Sequence, residues 1–309
     1  MLLKVIPATA AEPANLKSMH VPHIPAMCLF QVAIHTTGSS FVVSFNPPEP
    51  NASSHNKEDT LEIPFEPEER ELERLERVTV EMYKSGCSAY NMGSIYNHWF
   101  SSKFGFPVVL AFWGGNARPV LGNLPGRPAS EVTKPHGALT KALTSVPILG
   151  SLLGGNESGI AFNDMAPFLV INETSVADVT SRIGQVMDPS KFRPNIIVNG
   201  AKTAFEEDFW AELTFGAGTK ILLTANCVRC ASLNVDYRTG APGKGKDGEV
   251  LKVLQKDRRV DLGSKYSPVF GRYGFPGKED AGGDKVLRVG DVVVVSKRNE
   301  ERTTFCECF

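Results

Sequence analysis

The chain has 309 residues, 42% of them hydrophobic and 22% charged, so it is long enough for one large or two modest domains with a sizeable core. Its 33 basic and 34 acidic side chains leave a net charge of -1, which excludes a global field for nucleic acid or an anionic membrane; any charged ligand must be met locally. Six cysteines, at 28, 87, 227, 230, 306 and 308, are too sparse and irregular for a secreted disulfide framework, and no signal-peptide pattern precedes them, so a reducing, intracellular compartment is expected.

Near the start, "AMCLFQVAIHTTGSSFVVSFNPP" predicts two strands joined by the turn-forming Thr-Gly-Ser-Ser and ended by Pro47 and Pro48. The charge run in "KEDTLEIPFEPEERELERLERVTVEMYKS" lies between short strand-like pieces and reads as a solvated face with no chemistry of its own. In "NMGSIYNHWFSSKFGFPVVLAFW", Ile95, Trp99 and Lys103 recur at helical spacing, as do Tyr96, Phe100 and Phe104. An amphipathic helix is expected there, with Ser94 as N-cap and Gly105 just past its end, feeding a strand from Pro107 to Trp113. His98 has no second His or carboxylate one turn away, so it reads as a surface or core-edge histidine rather than a metal ligand.

From Gly114 to about Gly159 the composition shifts to Gly, Pro, Ser and Asn, the signature of linker and loop. The apolar tract within it, "VPILGSLLGG", is too short to span a bilayer and is broken by Pro and Gly, so no membrane span is expected. Next, "APFLVINETSVADVTSRIG" predicts a strand and then a helix capped at Thr174 or Ser175, with Val176, Val179 and Ile183 on one face. Strands follow at "NIIVNG", "AELTFG", "KILLTAN", "ASLNVDY" and "VLRVGDVVVVSK". Short strands at this frequency predict a β-dominated α+β fold, with a closed or nearly closed barrel over about residues 135 to 296. No glycine-rich dinucleotide fingerprint or phosphate loop opens a helix after a strand, which argues against a nucleotide-driven enzyme.

The stretch "TANCVRCASLNVDYRTG" sets Cys227 and Cys230 three apart. With Cys306 and Cys308 they could supply four zinc ligands; at a helix N-terminus they could form a redox pair; or they are two inert, partly buried thiols. Spacing alone leaves all three readings open. Further polar candidates are Arg193 and Asn195 in "FRPNIIVNG", where Pro194 restricts the backbone, and Tyr273 at the end of the Gly-containing turn "SPVFGRYG".

In this order, "FNDMAPFLVINETSVADVTSRI", "KFRPNIIVNG", "EEDFWAEL", "CVRCASLNVDYRTG", "YSPVFGRYG" and "LRVGDVVVV" resemble the MOSC domain. This molybdenum-cofactor-binding family includes the C-terminal domain of molybdenum cofactor sulfurases and the mitochondrial amidoxime reducing component. Weaker cues, "MCLFQVAI", "NMGSIYNHWFSSKFGFPVVLAFW" and "ARP", look like the β-barrel domain that usually precedes it. The resemblance divides the chain into a smaller N-terminal β-rich domain at 1–125, a MOSC-type β-barrel domain at 126–300 and a tail at 301–309. The family's opening strand with a Lys-Ser pair has no counterpart ahead of "LKSMHVPHIP", and a nearby arginine is also absent, so the chain looks shortened at its N-terminus.

The resemblance implies molybdenum-molybdopterin as cofactor, with Cys230 as metal ligand and catalytic thiol and with Arg193, Asn195, Arg229 and Tyr273 as pterin-binding positions. The resemblance also implies Asp164 and Ala166 as cofactor-binding positions, in the stretch before Pro167 where the family has small hydroxyl residues; here these are Met165 and Ala166, which leaves backbone N–H groups to serve the phosphate. A soft thiolate suits a high-valent molybdenum centre, adjacent Arg229 favours the deprotonated thiol, and Arg193 suits charge-assisted hydrogen bonds to phosphate or pterin acceptors. The implied activity is reduction of N-hydroxylated small molecules of the amidoxime type, with electrons from a b-type cytochrome and its flavin reductase. The alternative is a cofactor-binding or sulfur-carrier module without turnover of its own, downstream of a separate pyridoxal-phosphate desulfurase; a third possibility is a structural MOSC protein that binds no cofactor. The expected location is cytoplasmic for the chain as written, and mitochondrial if a further N-terminal segment precedes it.

Overall fold

The computed structural model describes residues 1–309 except 10–11, 37, 49–58, 121, 126–158, 217, 278–285 and 306–309. Most of the expected linker, the apolar tract at 146–155, Cys306 and Cys308 therefore lie outside the described residues. The fold is β-dominated α+β with curled, barrel-like sheets, as the strand density predicts. It comprises two compact units: Met1–Ala117 with Cys230–Leu251, and Arg118–Arg229 with Lys252–Phe309. Among the described residues no helix is long and apolar enough to cross a membrane.

The first unit opens with β1 (Leu2–Ile6), β2 (Asn15–Ser18), β3 (Phe30–Ile34), β4 (Ser40–Phe45) and β5 (Thr60–Pro64). After the one-turn helix α1 (Glu69–Leu72) come β6 (Arg77–Met82), β7 (Ser85–Asn91), α2 (Ser94–Phe104) and β8 (Val108–Phe112). β3 and β4 are the expected hairpin, extended by β5; the other five strands form an antiparallel sheet in the order β2-β1-β8-β7-β6. Phe100 of α2, Val43 of β4, Ile63 of β5 and Val108 and Leu110 of β8 meet in one core. Polar residues of α2 fix its position: Leu110 N–H donates to Asn97 Oδ1 at 2.8 Å, and Val108 N–H donates to Ser101 Oγ at 2.8 Å. The N-cap is Gly93 rather than Ser94, because Asn91 Oδ1 already accepts the Gly93 N–H and the chain turns one residue earlier. Ile95 is exposed, so the apolar stripe that matters runs through Phe100.

The second unit carries β9 (Phe168–Asn172), α3 (Glu173–Ile183), β10 (Ile196–Val198), β11 (Trp210–Phe215) and β12 (Thr219–Val228). α3 buries Val176, Val179 and Ile183 as its periodicity predicts, but its cap is Asn172, whose side chain accepts from Thr174 N–H. The chain then enters the segment counted with the first unit. There Ala231–Asn234 forms a 3-10 turn where the alternation suggested a strand, and only β13 (Val235–Asp236) and β14 (Ala241–Pro242) pair. Leu233 and Val235 are both buried, which is the origin of the alternating pattern. Gly240, at φ 60°, packs so closely that a Cβ there would lie 2.7 Å from Leu29 Cγ. Helix α4 (Val250–Gln255) leads back to β15 (Val269–Pro276) and β16 (Val293–Arg298).

The six strands of this unit run β10-β9-β15-β12-β11-β16, antiparallel except for the parallel pair β9 and β10 that α3 connects. Val170, Trp210, Leu213, Ile221 and Leu223 form its apolar core. β15 is buried along seven of its eight residues. Gly271 on it, at φ 82°, leaves room for β9: an added Cβ would lie 2.8 Å from Ile171 Cγ2 and 2.8 Å from Val170 O.

A charged network is buried beside this sheet. Asp208, fully buried, accepts from Arg258 Nη2 at 2.7 and 3.0 Å and from Arg302 Nε at 2.7 Å. Arg272 of β15 donates to Asn226 Oδ1 at 2.8 Å, to Thr303 Oγ1 at 2.5 Å and to Leu223 O at 3.1 Å. Asn226 in turn donates to Asp261 Oδ2 at 2.7 Å, and Asp261 receives the Phe305 N–H at 2.9 Å. Burial lowers the Arg272 guanidinium to about 10, with Asp208 and Asp261 opposing the shift. Next to Asp208, Glu207 is fully buried; its Oε2 accepts from Ser175 Oγ at 2.8 Å, and among the described residues Oε1 meets no hydrogen-bond donor. Burial raises its carboxyl to about 7.

Three stability outcomes are expected. Asp208→Ala leaves Arg258 buried without its carboxylate and costs about 3–5 kcal/mol in denaturant unfolding. Gly271→Ala costs about 2 kcal/mol or more, since it combines a left-handed backbone with a clash against β9. For Glu207, the folded chain holds a proton that the unfolded chain releases between pH 4.5 and about 7, so stability falls as pH rises through that window and is flat above it. Glu207→Gln removes this slope and is more stable than the parent at pH 8 by about 2–3 kcal/mol, measured by paired unfolding curves at pH 5 and pH 8.

Candidate functional site

The second unit gathers most of the polar candidates around the ends of β9, β12 and β15. The strand β9 receives Asn195 from the loop ahead of β10: Asn195 N–H donates to Leu169 O at 2.9 Å, and its Oδ1 accepts the Leu169 N–H at 2.8 Å. That second bond fixes the amide, so the Asn195 NH2 is the group left to donate elsewhere. Just upstream, a 3-10 turn at Pro189–Phe192 ends in Arg193, whose N–H donates to Ser190 O at 2.8 Å. Arg193 is exposed and left-handed, at φ 55° and ψ 45°. For a non-glycine residue directly before proline this is a doubly disfavoured conformation, costing about 1–3 kcal/mol.

The Arg229 guanidinium, nearly buried, links two candidate stretches. Nη1 donates to Cys227 Sγ at 2.9 Å, Nη2 donates to Phe192 O at 2.9 Å, and the charge sits 5.7 Å from the Phe192 ring centroid. Phe192 stacks on Phe270 of β15 with centroids 3.7 Å apart and planes at 9°. The backbone N–H of Arg229 is taken by Pro268 O at 2.8 Å. The cation therefore spans from the end of β12 to the carbonyl immediately before Arg193.

Cys227 is 2% exposed on β12, at an irregularity where Asn226 pairs Arg272 and Val228 pairs Val269. Its sulfur also hydrogen-bonds the buried Tyr273 hydroxyl of β15. Burial pushes the Cys227 thiol up, with Arg229 opposing, and burial with the neighbouring Cys227 pushes Tyr273 well above the usual phenol range. Both groups are therefore neutral at physiological pH. Asp164, whose charge acts on both, lies in a loop whose carbonyls are gathered by buried Arg118: Nη2 donates to Asn163 O at 2.5 Å and to Asp164 O at 2.8 Å. Met165 and Ala166 are buried.

Cys230 follows Arg229 directly and begins the segment counted with the first unit. Its thiol is exposed, 3.3 Å from Ser232 Oγ. The two cysteines thus differ sharply, one sealed and neutral, the other open to solvent. Among the described residues no three His, Cys, Asp or Glu side chains cluster to hold a metal; the four-cysteine zinc reading needs Cys306 and Cys308, which lie outside them.

Sequence reasoning missed the parts of this site that are not themselves ligand candidates. Cys227 as an acceptor for Arg229, and Arg118 as the brace of the 161–164 loop, had no motif to announce them. The isolated "ARP" was the one visible trace of Arg118.

Residues 157–294 match the MOSC domain family. The chain is 35% identical over 118 residues to mitochondrial amidoxime-reducing component 1 of Homo sapiens, covering 37% of this chain and 34% of the relative. It is 37% identical over 138 residues to mitochondrial amidoxime reducing component 2 of Macaca fascicularis, covering 43% of this chain and 38% of the relative. It is 34% identical over 138 residues to mitochondrial amidoxime-reducing component 1 of Mus musculus, covering 43% of this chain and 38% of the relative. These matches span little more than a third of the curated relatives' length. The family match covers the stretch from β9 into β16 that carries Arg193, Asn195, Cys227, Arg229, Cys230 and Tyr273. The chain carries a MOSC domain at residues 157–294.

Proposed function

We propose that this chain binds a molybdenum-pterin cofactor and acts as the molybdenum component of a reductase for N-hydroxylated small molecules of the amidoxime type. The observation that carries the reading is the contrast between the two thiols of "CVRC". Cys227 is buried and neutral, a poor metal ligand, whereas Cys230 is exposed and occupies the position that matches the family's metal-binding cysteine. The relatives' name, amidoxime reducing component, supports the substrate class.

The donor set fits such a group. Cys230 offers a soft thiolate to the metal, and Arg193 offers a solvent-facing fork of N–H donors for a phosphate or for pterin acceptors. Asn195, with its oxygen committed to Leu169, presents donors of fixed orientation. Backbone N–H groups of 164–166, which follow the Ala161, Asn163 and Asp164 carbonyls that Arg118 binds, would serve in place of the hydroxyls that Met165 and Ala166 lack. Arg229 and Tyr273, both turned into the domain, hold these segments in place. When bound, the cofactor supplies two-electron reduction of the substrate. Substrate reduction draws its electrons from a separate redox protein, by the family resemblance a b-type cytochrome with its flavin reductase.

One observation favours the second reading, a module that carries the cofactor without turning over a substrate. Buried Met165 and Ala166 give the phosphate no side-chain donors, which weakens retention and suits a protein that passes its cargo on.

Metal analysis of the purified chain and benzamidoxime reduction with an artificial donor test the proposal together: molybdenum with turnover supports the reductase, molybdenum without turnover supports the carrier, and neither sinks both. Cys230→Ala is expected to abolish turnover and bound molybdenum with little change in melting temperature, because the exposed thiol packs against no core. Arg193→Gly separates function from fold. It relieves the left-handed strain, raising stability by about 1 kcal/mol, yet lowers bound molybdenum at least as far as Arg193→Ala does.

A further inference from the structure

We propose that Cys227 is a positioning residue of this site: as the acceptor for Arg229 it holds the guanidinium that ties the end of β12 to the Phe192 carbonyl, one residue ahead of Arg193. This inference rests on the cofactor-binding reading above and assigns a role to the thiol that reading leaves idle.

The geometry leaves Arg229 little freedom once Cys227 is in place. One nitrogen is on sulfur at 2.9 Å, another is on Phe192 O at 2.9 Å, the backbone N–H is on Pro268 O, and the cation faces the Phe192 ring. A buried guanidinium is stable only while its N–H groups keep acceptors, so an alanine at 227 removes one anchor and lets the cation rotate or withdraw. What moves with it is the carbonyl of Phe192, and hence Arg193, whose left-handed conformation persists only if its surroundings enforce it. The Phe192–Phe270 stack makes the ring a stiff lever rather than a cushion. Tyr273 is a second hydrogen-bonding neighbour of the sulfur. A neutral thiol is well matched to this role, since it accepts from Arg229 without cancelling the positive charge, as a carboxylate at that position would.

The test uses the full chain with Cys227→Ala, Cys227→Ser, Arg229→Lys and the double variant Cys227→Ala/Arg229→Lys. The first readout is the side-chain 15N spectrum of Arg229, assigned by its loss in Arg229→Lys. Two anchored Nη groups hinder rotation and give separate resonances; in Cys227→Ala these should merge, and in Cys227→Ser, where a hydroxyl still accepts, they should stay resolved. The second readout is bound molybdenum per chain together with the kcat and KM of benzamidoxime reduction. Loss of a partner that orients a metal site costs about tenfold or more in occupancy or turnover, so Cys227→Ala should fall by about that factor and Cys227→Ser should recover most of it. The double variant should be no worse than the poorer single one. Resolved Arg229 resonances in Cys227→Ala would show that sulfur does not hold the cation, and merged resonances with parental molybdenum content and turnover would show that the hold has no functional consequence; either result overturns the inference alone. A parental chain that retains no molybdenum overturns the inference and the cofactor reading together.

Discussion

The second unit is organised around one buried carboxylate. Asp208 accepts from Arg258 and Arg302, which come from well beyond it in the chain, and sits against Arg272 at the centre of β15. A cluster of this kind is rarely worth more than apolar residues of the same volume, but removing one member strands the others in a dry interior. Its effect is therefore to specify rather than merely to stabilise. Only one register of β12 against β15 brings Asn226 to Arg272 and to Asp261, and that register also sets Ala225 opposite Tyr273 and places Cys227 at the irregularity.

The candidate site inherits this rigidity. Each of its exposed side chains is followed or preceded by a residue tied inward: Arg193 by Phe192, Asn195 by its own bond to Leu169, Cys230 by Arg229. The polar chemistry of the motif is thus divided between residues that face out and residues that are buried. Cys227 and Tyr273, neutral and sealed, belong to the second kind. The arginine of "CVRC" is likewise directed inward, donating to Cys227 Sγ and to Phe192 O.

What the sequence revealed follows from where each signal is stored. The β3–β4 hairpin is legible because Thr-Gly-Ser-Ser lies between two apolar runs, and α3 because Val176, Val179 and Ile183 repeat within one element. The caps at Gly93 and Asn172 were missed by one to three residues, since several polar side chains near each end were equally good candidates until the tertiary bonds chose. The 3-10 turn at Ala231–Asn234 was misread as a strand because burial of Leu233 and Val235 gives the same alternation in either geometry. Asp208, Arg258, Arg272 and Arg302 left no local trace at all. A charged residue looks solvated until its partner, dozens of positions away, is known to lie beside it.

The return of residues 230–251 to the first unit has a consequence for biosynthesis. A chain emerging from the ribosome ordinarily folds its leading domain first. Here the leading unit still lacks the segment that packs Gly240 onto Leu29 when β9 to β12 of the following unit have already been made. Neither unit is complete early: the first waits for the segment through Leu251, and the second waits for β15, a strand in the interior of its sheet. Premature termination anywhere before Leu251 therefore leaves no finished unit behind, only two unfinished ones for the chaperones to clear.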